Sequence, residues 1–115
     1  MNKVRQRIAL AAAVAALAGG LSVAPAAAAG PLDTWVRSCG TRYSAITTHA
    51  FARTIKESGG SCAGDAWVRA KKRGGGWSAW QHSSTEVRIT LGPNNVERAE
   101  HKGCADCEVH TTTPE

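Results

Sequence analysis

The chain has 115 residues, 14 lysines and arginines against nine acidic residues, a formal net charge of +5 and four cysteines. Three of the basic residues, Lys3, Arg5 and Arg7, lie at the extreme N-terminus, and the part from residue 30 onward carries eleven cations against nine carboxylates. That near balance removes most of the compositional support for a nucleic-acid partner.

After the basic start comes IALAAAVAALA, Ile8 to Ala18, and an alanine-rich tract whose only polar side chain up to residue 29 is Ser22. The pattern is that of a cleaved secretory signal peptide over 1–29, with an A-x-A site at Ala27-Ala28-Ala29. Alanine is too weakly apolar to hold a membrane span, and Pro25 breaks the tract. The expectation is a secreted, extracellular protein, not inserted in a membrane after cleavage, whose residues 30–115 form one small domain. A domain of this size buries proportionately little surface and needs covalent help. All four cysteines, Cys39, Cys62, Cys104 and Cys107, lie in it, so two disulfides are expected.

Glycine-rich breaks at 58–65, 73–76, 92–95 and 101–104 divide the domain into segments of strand length. Residues 43–55 have helical spacing of Tyr43, Ile46, Ala50, Phe51 and Ile55, but their branched threonines and isoleucines favour strand, which is the reading adopted. AWVRAKK (66–72) and WSAWQ (77–81) read as strands. EVRITL (86–91) alternates cleanly, with Val87, Ile89 and Leu91 on one face and Glu86, Arg88 and Thr90 on the other. Residues 95–102 are read as a strand, although Asn94 and Glu97 have capping-box spacing for a short helix.

A weak internal echo recurs every 16 residues: Trp35-Val36-Arg37, Phe51-Ala52-Arg53 and Trp67-Val68-Arg69. In strands the aromatic and the arginine, two apart, share a face. The echo therefore predicts one sheet face carrying these three aromatics and three arginines, with Val36, Ala52 and Val68 packed inward. Such a face can be structural, with guanidinium groups over rings, or it can bind a partner. The basic cluster Arg69, Lys71, Lys72 and Arg73 adjoins it.

HKGCADCEVH places His101, Cys104, Cys107 and His110 at a period of three. One tetrahedral ion needs a chain that folds back between ligand pairs, and a run of evenly spaced ligands in a 3₁₀ conformation spreads them instead. No metal or other cofactor is expected. A catalytic CxxC lacks the strand before it and the helix after it that would lower a thiol pKa. Cys104 and Cys107 are expected to be covalent, bridging either to Cys39 and Cys62 or to each other, with His101 and His110 incidental.

Catalytic signals are few, and no catalytic residue is assigned. GGSCAG (59–64) nearly matches a nucleophile elbow but has Ala63 where glycine is needed and no strand before it. Glu86 and Arg88, joined by His49, His82 or His101, would suit acid-base cleavage of a phosphodiester, as in small secreted ribonucleases.

GGGWSAW (74–80) resembles the WxxW run of thrombospondin type 1 repeats, whose tryptophans layer with arginines. The resemblance covers seven residues, lacks that family's cysteine placement, and implies stacking of Trp77 and Trp80 with arginines. His49, Ala50 and Ala52, followed by Gly64, Ala66, Trp67 and Ala70, resemble the lactococcin 972 type of secreted bacteriocin. That family is cysteine-free, and the resemblance implies a compact β-sandwich and activity against neighbouring bacteria. The combined expectation is an antiparallel sandwich of five or six strands. Its role is expected to be a non-enzymatic module or adaptor that binds a secreted protein or cell-envelope partner. The alternatives are an antibacterial protein and a secreted nuclease. The residues expected to bind are Trp35, Arg37, Phe51, Arg53, Trp67, Arg69, Lys71, Lys72, Arg73, Trp77 and Trp80.

Overall fold

A computed structural model describes residues 30–114, so the segment read as a signal peptide, 1–29, lies outside the described residues. Eight strands follow one another: β1 Leu32–Val36, β2 Arg42–Thr47, β3 Phe51–Lys56, β4 Ala66–Lys72, β5 Gln81–Ser83, β6 Glu86–Thr90, β7 Val96–Lys102 and β8 His110–Thr112. They form two four-stranded antiparallel sheets, β1-β2-β3-β6 and β5-β4-β7-β8. The two sheets face each other, with β1 over β8, β2 over β7 and β8, β3 over β4 and β7, and β6 over β4 and β5.

The all-β, two-sheet expectation holds, with eight strands in place of five or six. Both ambiguous segments are strands. Residues 43–55 split into β2 and β3, because the Thr48 hydroxyl accepts from the amides of Ala50 and Phe51 at 3.1 Å each and turns the chain. Asn94 caps no helix; it sits at φ 59° in the turn before β7, a left-handed conformation that asparagine tolerates. WSAWQ is a strand only from Gln81. Ahead of it, Ser78 Oγ accepts the Ala70 amide at 3.0 Å, so a side chain takes the place of a ladder partner.

The interior is lined by small residues. Ala52, Ala66, Val68, Ala70, Val87, Ile89 and Ala99 form one buried cluster, with Leu91 packed against it. Beside it lies a polar layer of Tyr43, Thr47, Thr54, His101 and Thr112, all fully buried.

The disulfides are Cys39–Cys62 and Cys104–Cys107, which decides between the pairings the sequence left open. The first ties the β1–β2 turn to the β3–β4 loop, and the second closes the β7–β8 loop on itself. Gly60, at φ +68°, lies so close to Thr41 that a Cβ would collide with its backbone nitrogen.

The HxxCxxCxxH run does fold back, contrary to the extended geometry expected of it. Its ends pair across the β7–β8 hairpin, with His101 opposite His110. The sulfurs between them are consumed in the disulfide and offer no thiolate.

Candidate functional site

Strand β4 is the spine of the site. Its alternation buries Ala66, Val68 and Ala70 and turns Trp67, Arg69 and Lys71 to the outer face of the second sheet, where all three are half-buried. The β4–β5 connection returns over this face and lays Trp77 and Trp80 on it. The guanidinium carbon of Arg69 lies over both indoles, 4.6 Å from the Trp77 centroid and 4.8 Å from that of Trp80. Lys102, opposite Trp67 in the ladder, sets its ammonium 4.2 Å from the Trp80 ring and 5.1 Å from the Trp67 ring. Trp67 meets Trp80 edge to face at 6.5 Å and is stacked by His82, its partner on β5, at 4.0 Å. Rings and cations thus alternate across the face.

Carboxylates hold the layers in register. Glu100 takes Arg69 in a two-nitrogen contact at 2.6 and 2.7 Å, Glu97 takes Lys71 at 3.0 Å, and Asp65 accepts from His82 Nδ1 at 2.8 Å. Lys71, through both a hydrogen bond and its charge, holds the Glu97 carboxyl below the usual carboxylate range. Lys72 and Arg73 are exposed at the end of β4, where Arg73 donates to the carbonyls of Asn94 at 3.1 Å and Val96 at 3.4 Å.

The single face that the echo predicted is divided among three places. Trp67 and Arg69 lie outside the second sheet. Phe51 and Arg53 lie outside the first, where Arg88 covers the Phe51 ring at 3.7 Å and Arg53 pairs with Glu86. Trp35 turns inward, stacked on His110 at 3.7 Å and Tyr43 at 5.6 Å. Arg37 follows it and donates to the carbonyls of Ala63 at 2.8 Å and Gly103 at 3.1 Å, knitting the two disulfide loops together. Ala52 and Val68 are buried as expected, but Val36 is 53 % exposed. The phase of β1 is set by Asp33 and Trp35 meeting His110, and in a strand that choice forces the neighbouring residue outward. The layering implied for Trp77 and Trp80 is present, on Arg69.

The two histidines read as incidental are both engaged. His101 is wholly buried between the sheets, its Nδ1 2.7 Å from Thr54 Oγ1 and its Nε2 2.8 Å from Thr112 Oγ1. Thr54 donates its own hydroxyl to the Trp67 carbonyl at 2.9 Å, so it accepts from His101 Nδ1–H, and Nε2 then accepts from Thr112. Burial, and secondarily the neighbouring His110, push the His101 pKa down to about 3. His110 donates to Asp33 at 3.3 Å while stacked on Trp35, and His82 does the same to Asp65 on Trp67. A longer repeat marks this relationship in the sequence: Asp33-Thr34-Trp35-Val36-Arg37 recurs as Asp65-Ala66-Trp67-Val68-Arg69. Its aspartates sit two residues before each tryptophan and share its face.

The phosphodiester-cleaving set does not assemble. Glu86 and Arg88 project from the first sheet, His82 lies on the outer face of the second, and His101 is enclosed. His49 sits in the β2–β3 turn, its carbonyl bonded to Asn95, at the opposite end of β6 from Glu86. Ser61 Oγ donates to the Cys39 carbonyl at 3.2 Å within the disulfide loop. Comparison with known protein families, proteins and solved structures returns no match.

Proposed function

We propose that the chain is an exported, non-enzymatic interaction module or adaptor that docks a secreted protein or cell-envelope partner on the outer face of β5-β4-β7-β8. The observation that carries this reading is where the large rings lie. Three of the four tryptophans, Trp67, Trp77 and Trp80, sit half-exposed on one outer face, while the apolar cluster between the sheets is built mainly of alanine and valine, with the rings of Tyr43 and His101 in the polar layer beside it. Aromatic side chains with arginine on a pre-ordered surface are the common anchors of interfaces. Two disulfides suit an oxidising compartment. Among the described residues, no helix is long and apolar enough to cross a membrane.

The test is co-sedimentation of the disulfide-bonded protein with washed envelopes of the producing cell, together with recovery of a stoichiometric partner from culture supernatant. Trp67→Ala and Arg69→Ala should weaken binding about tenfold or more while the protein remains folded by circular dichroism. Unchanged binding by both folded variants rules out this face. The antibacterial reading draws on the two-sheet fold that the bacteriocin resemblance implies; absence of growth inhibition across a broad bacterial panel removes it.

A further inference from the structure

Resting on that docking face, we infer that its partner is an acidic polysaccharide, recognised through its carboxylate or phosphate groups. Charge points there first. The face and its β4 end hold six cations, Arg69, Lys71, Lys72, Arg73, Arg98 and Lys102, against three carboxylates, Asp65, Glu97 and Glu100. That surplus of three exceeds the surplus of two carried by the whole of residues 30–115, so the remainder of the domain is slightly acidic. The positive field is focused on this face.

The placement of the cations that lack a carboxylate partner describes the ligand's shape. Among the described residues, Arg98 and Lys102 on β7, like Lys72 and Arg73 at the end of β4, form no ion pair with a carboxylate; Lys102 donates to the Ala105 carbonyl at 2.6 Å. Arg98 and Lys102 stand four residues apart on β7, roughly 13 Å along a strand; Arg69, paired with Glu100, lies between them on the neighbouring strand, and Lys71, paired with Glu97, lies opposite Arg98. Cations spaced along an open sheet, two of them without a carboxylate partner, suit an extended chain of repeated anions better than a single small anion. The ammonium of Lys102 and the guanidinium of Arg69 are already held over indole rings, which lowers the ordering cost of meeting an anion.

The rings argue against the other polyanions. Trp67 is covered by His82, and Trp80 has Arg69 and Lys102 on it. Nucleic-acid strands gain most on such surfaces by stacking bases on free aromatic faces, which these are not. A protein partner can use the same tryptophan and arginine anchors only by burying the charges around them, of which the face carries a surplus of three cations. A sugar chain bearing acidic groups requires neither.

The experiment measures binding of the disulfide-bonded protein to immobilised alginate, a carboxylated polysaccharide, beside neutral dextran, poly-L-glutamate and polyadenylate at low salt. Alginate should bind and dextran should not, with an affinity that falls as salt rises. Arg98→Gln combined with Lys102→Gln should weaken alginate binding about fivefold or more and flatten the salt dependence. Arg98→Gln alone, at an exposed side chain, should lower affinity in the same direction with no change in thermal midpoint. The inference is overturned by absence of alginate binding, by unchanged affinity in these variants, or by tighter binding of poly-L-glutamate or polyadenylate. Envelope binding that depends on Trp67 but is not competed by soluble alginate would sink the polysaccharide and leave the docking face standing. Envelope binding indifferent to Trp67 and Arg69 would sink the face itself.

Discussion

His101 and His110 face each other directly across the β7–β8 hairpin, yet one is sealed among threonines and the other is stacked on Trp35 and bonded to Asp33. The pair joins the two sheets through different chemistry: His101 bonds across to Thr54 of β3, and His110 reaches Asp33 of β1. Because His101 is neutral in the fold and bonded at both nitrogens, it ties stability to pH.

Acid should loosen the sandwich. The folded His101 pKa lies near 3 against an ordinary value of 6.5, so the unfolded chain binds the proton first and stability falls with pH between those limits. The contribution is complete above pH 6.5, and its loss begins as pH drops through that value. Between about pH 7.5 and pH 4.5 this group should cost on the order of 2 to 3 kcal/mol. Urea unfolding at those two pH values measures it. His101→Leu should lower stability at neutral pH by about 1 to 3 kcal/mol, since threonine hydroxyls lose their partner, and should flatten the pH dependence. An unaltered pH slope in that variant would assign the effect to another group.

The inner and outer tryptophans should respond differently to truncation. Trp35 is packed between Tyr43 and His110 at the join of the sheets, and Trp35→Ala should cost about 3 kcal/mol. Trp67→Ala removes a ring from an outer face and should cost nearer 1 kcal/mol. Thermal unfolding separates the two, because 1 kcal/mol moves the midpoint of a domain this small by roughly 4 to 8 °C.

The two disulfides should be unequal. Cys39–Cys62 closes a separation of 23 residues and Cys104–Cys107 one of three. On the chain-entropy account these contribute about 3 and about 2 kcal/mol. Replacing the first pair by serine should therefore lower the urea midpoint more than replacing the second, and the reverse order would contradict this account.

Gly60→Ala should be among the most damaging single substitutions outside the core. The new Cβ would meet backbone atoms of Gly40 and Thr41, and φ is already positive. A loss of about 2 kcal/mol or more is expected, visible as reduced recovery of disulfide-bonded protein and a lowered melting midpoint.

Much of the fold was legible residue by residue. Alternation placed Val87 and Ile89 inward and Glu86 and Arg88 outward, and small residues at Ala52 and Val68 marked buried positions that only a strand period explains. Cysteine number and chain length called for two bridges. The layering of Trp77 and Trp80 with an arginine was what the resemblance of residues 74–80 to thrombospondin type 1 repeats implied, and the arginine it needs, Arg69, lies outside that run. The strand features are local, since strand periodicity and turn chemistry act within a few neighbours.

Which residues would meet was decided by the tertiary arrangement alone. Three similar aromatic-arginine segments went to three different surfaces, because a strand's two faces acquire meaning only when its sheet finds the opposing one. Trp35 turned inward because His110, 75 positions later, was there to stack on it. The disulfide pairing followed from the β7–β8 hairpin bringing Cys104 beside Cys107. His101, with no apolar neighbours in sequence to announce it, became the centre of the polar layer once Thr47, Thr54 and Thr112 converged from three other strands. Burial of a polar ring is tolerable only where partners from distant segments satisfy it, and that condition cannot be read from the ring's own neighbours in the chain.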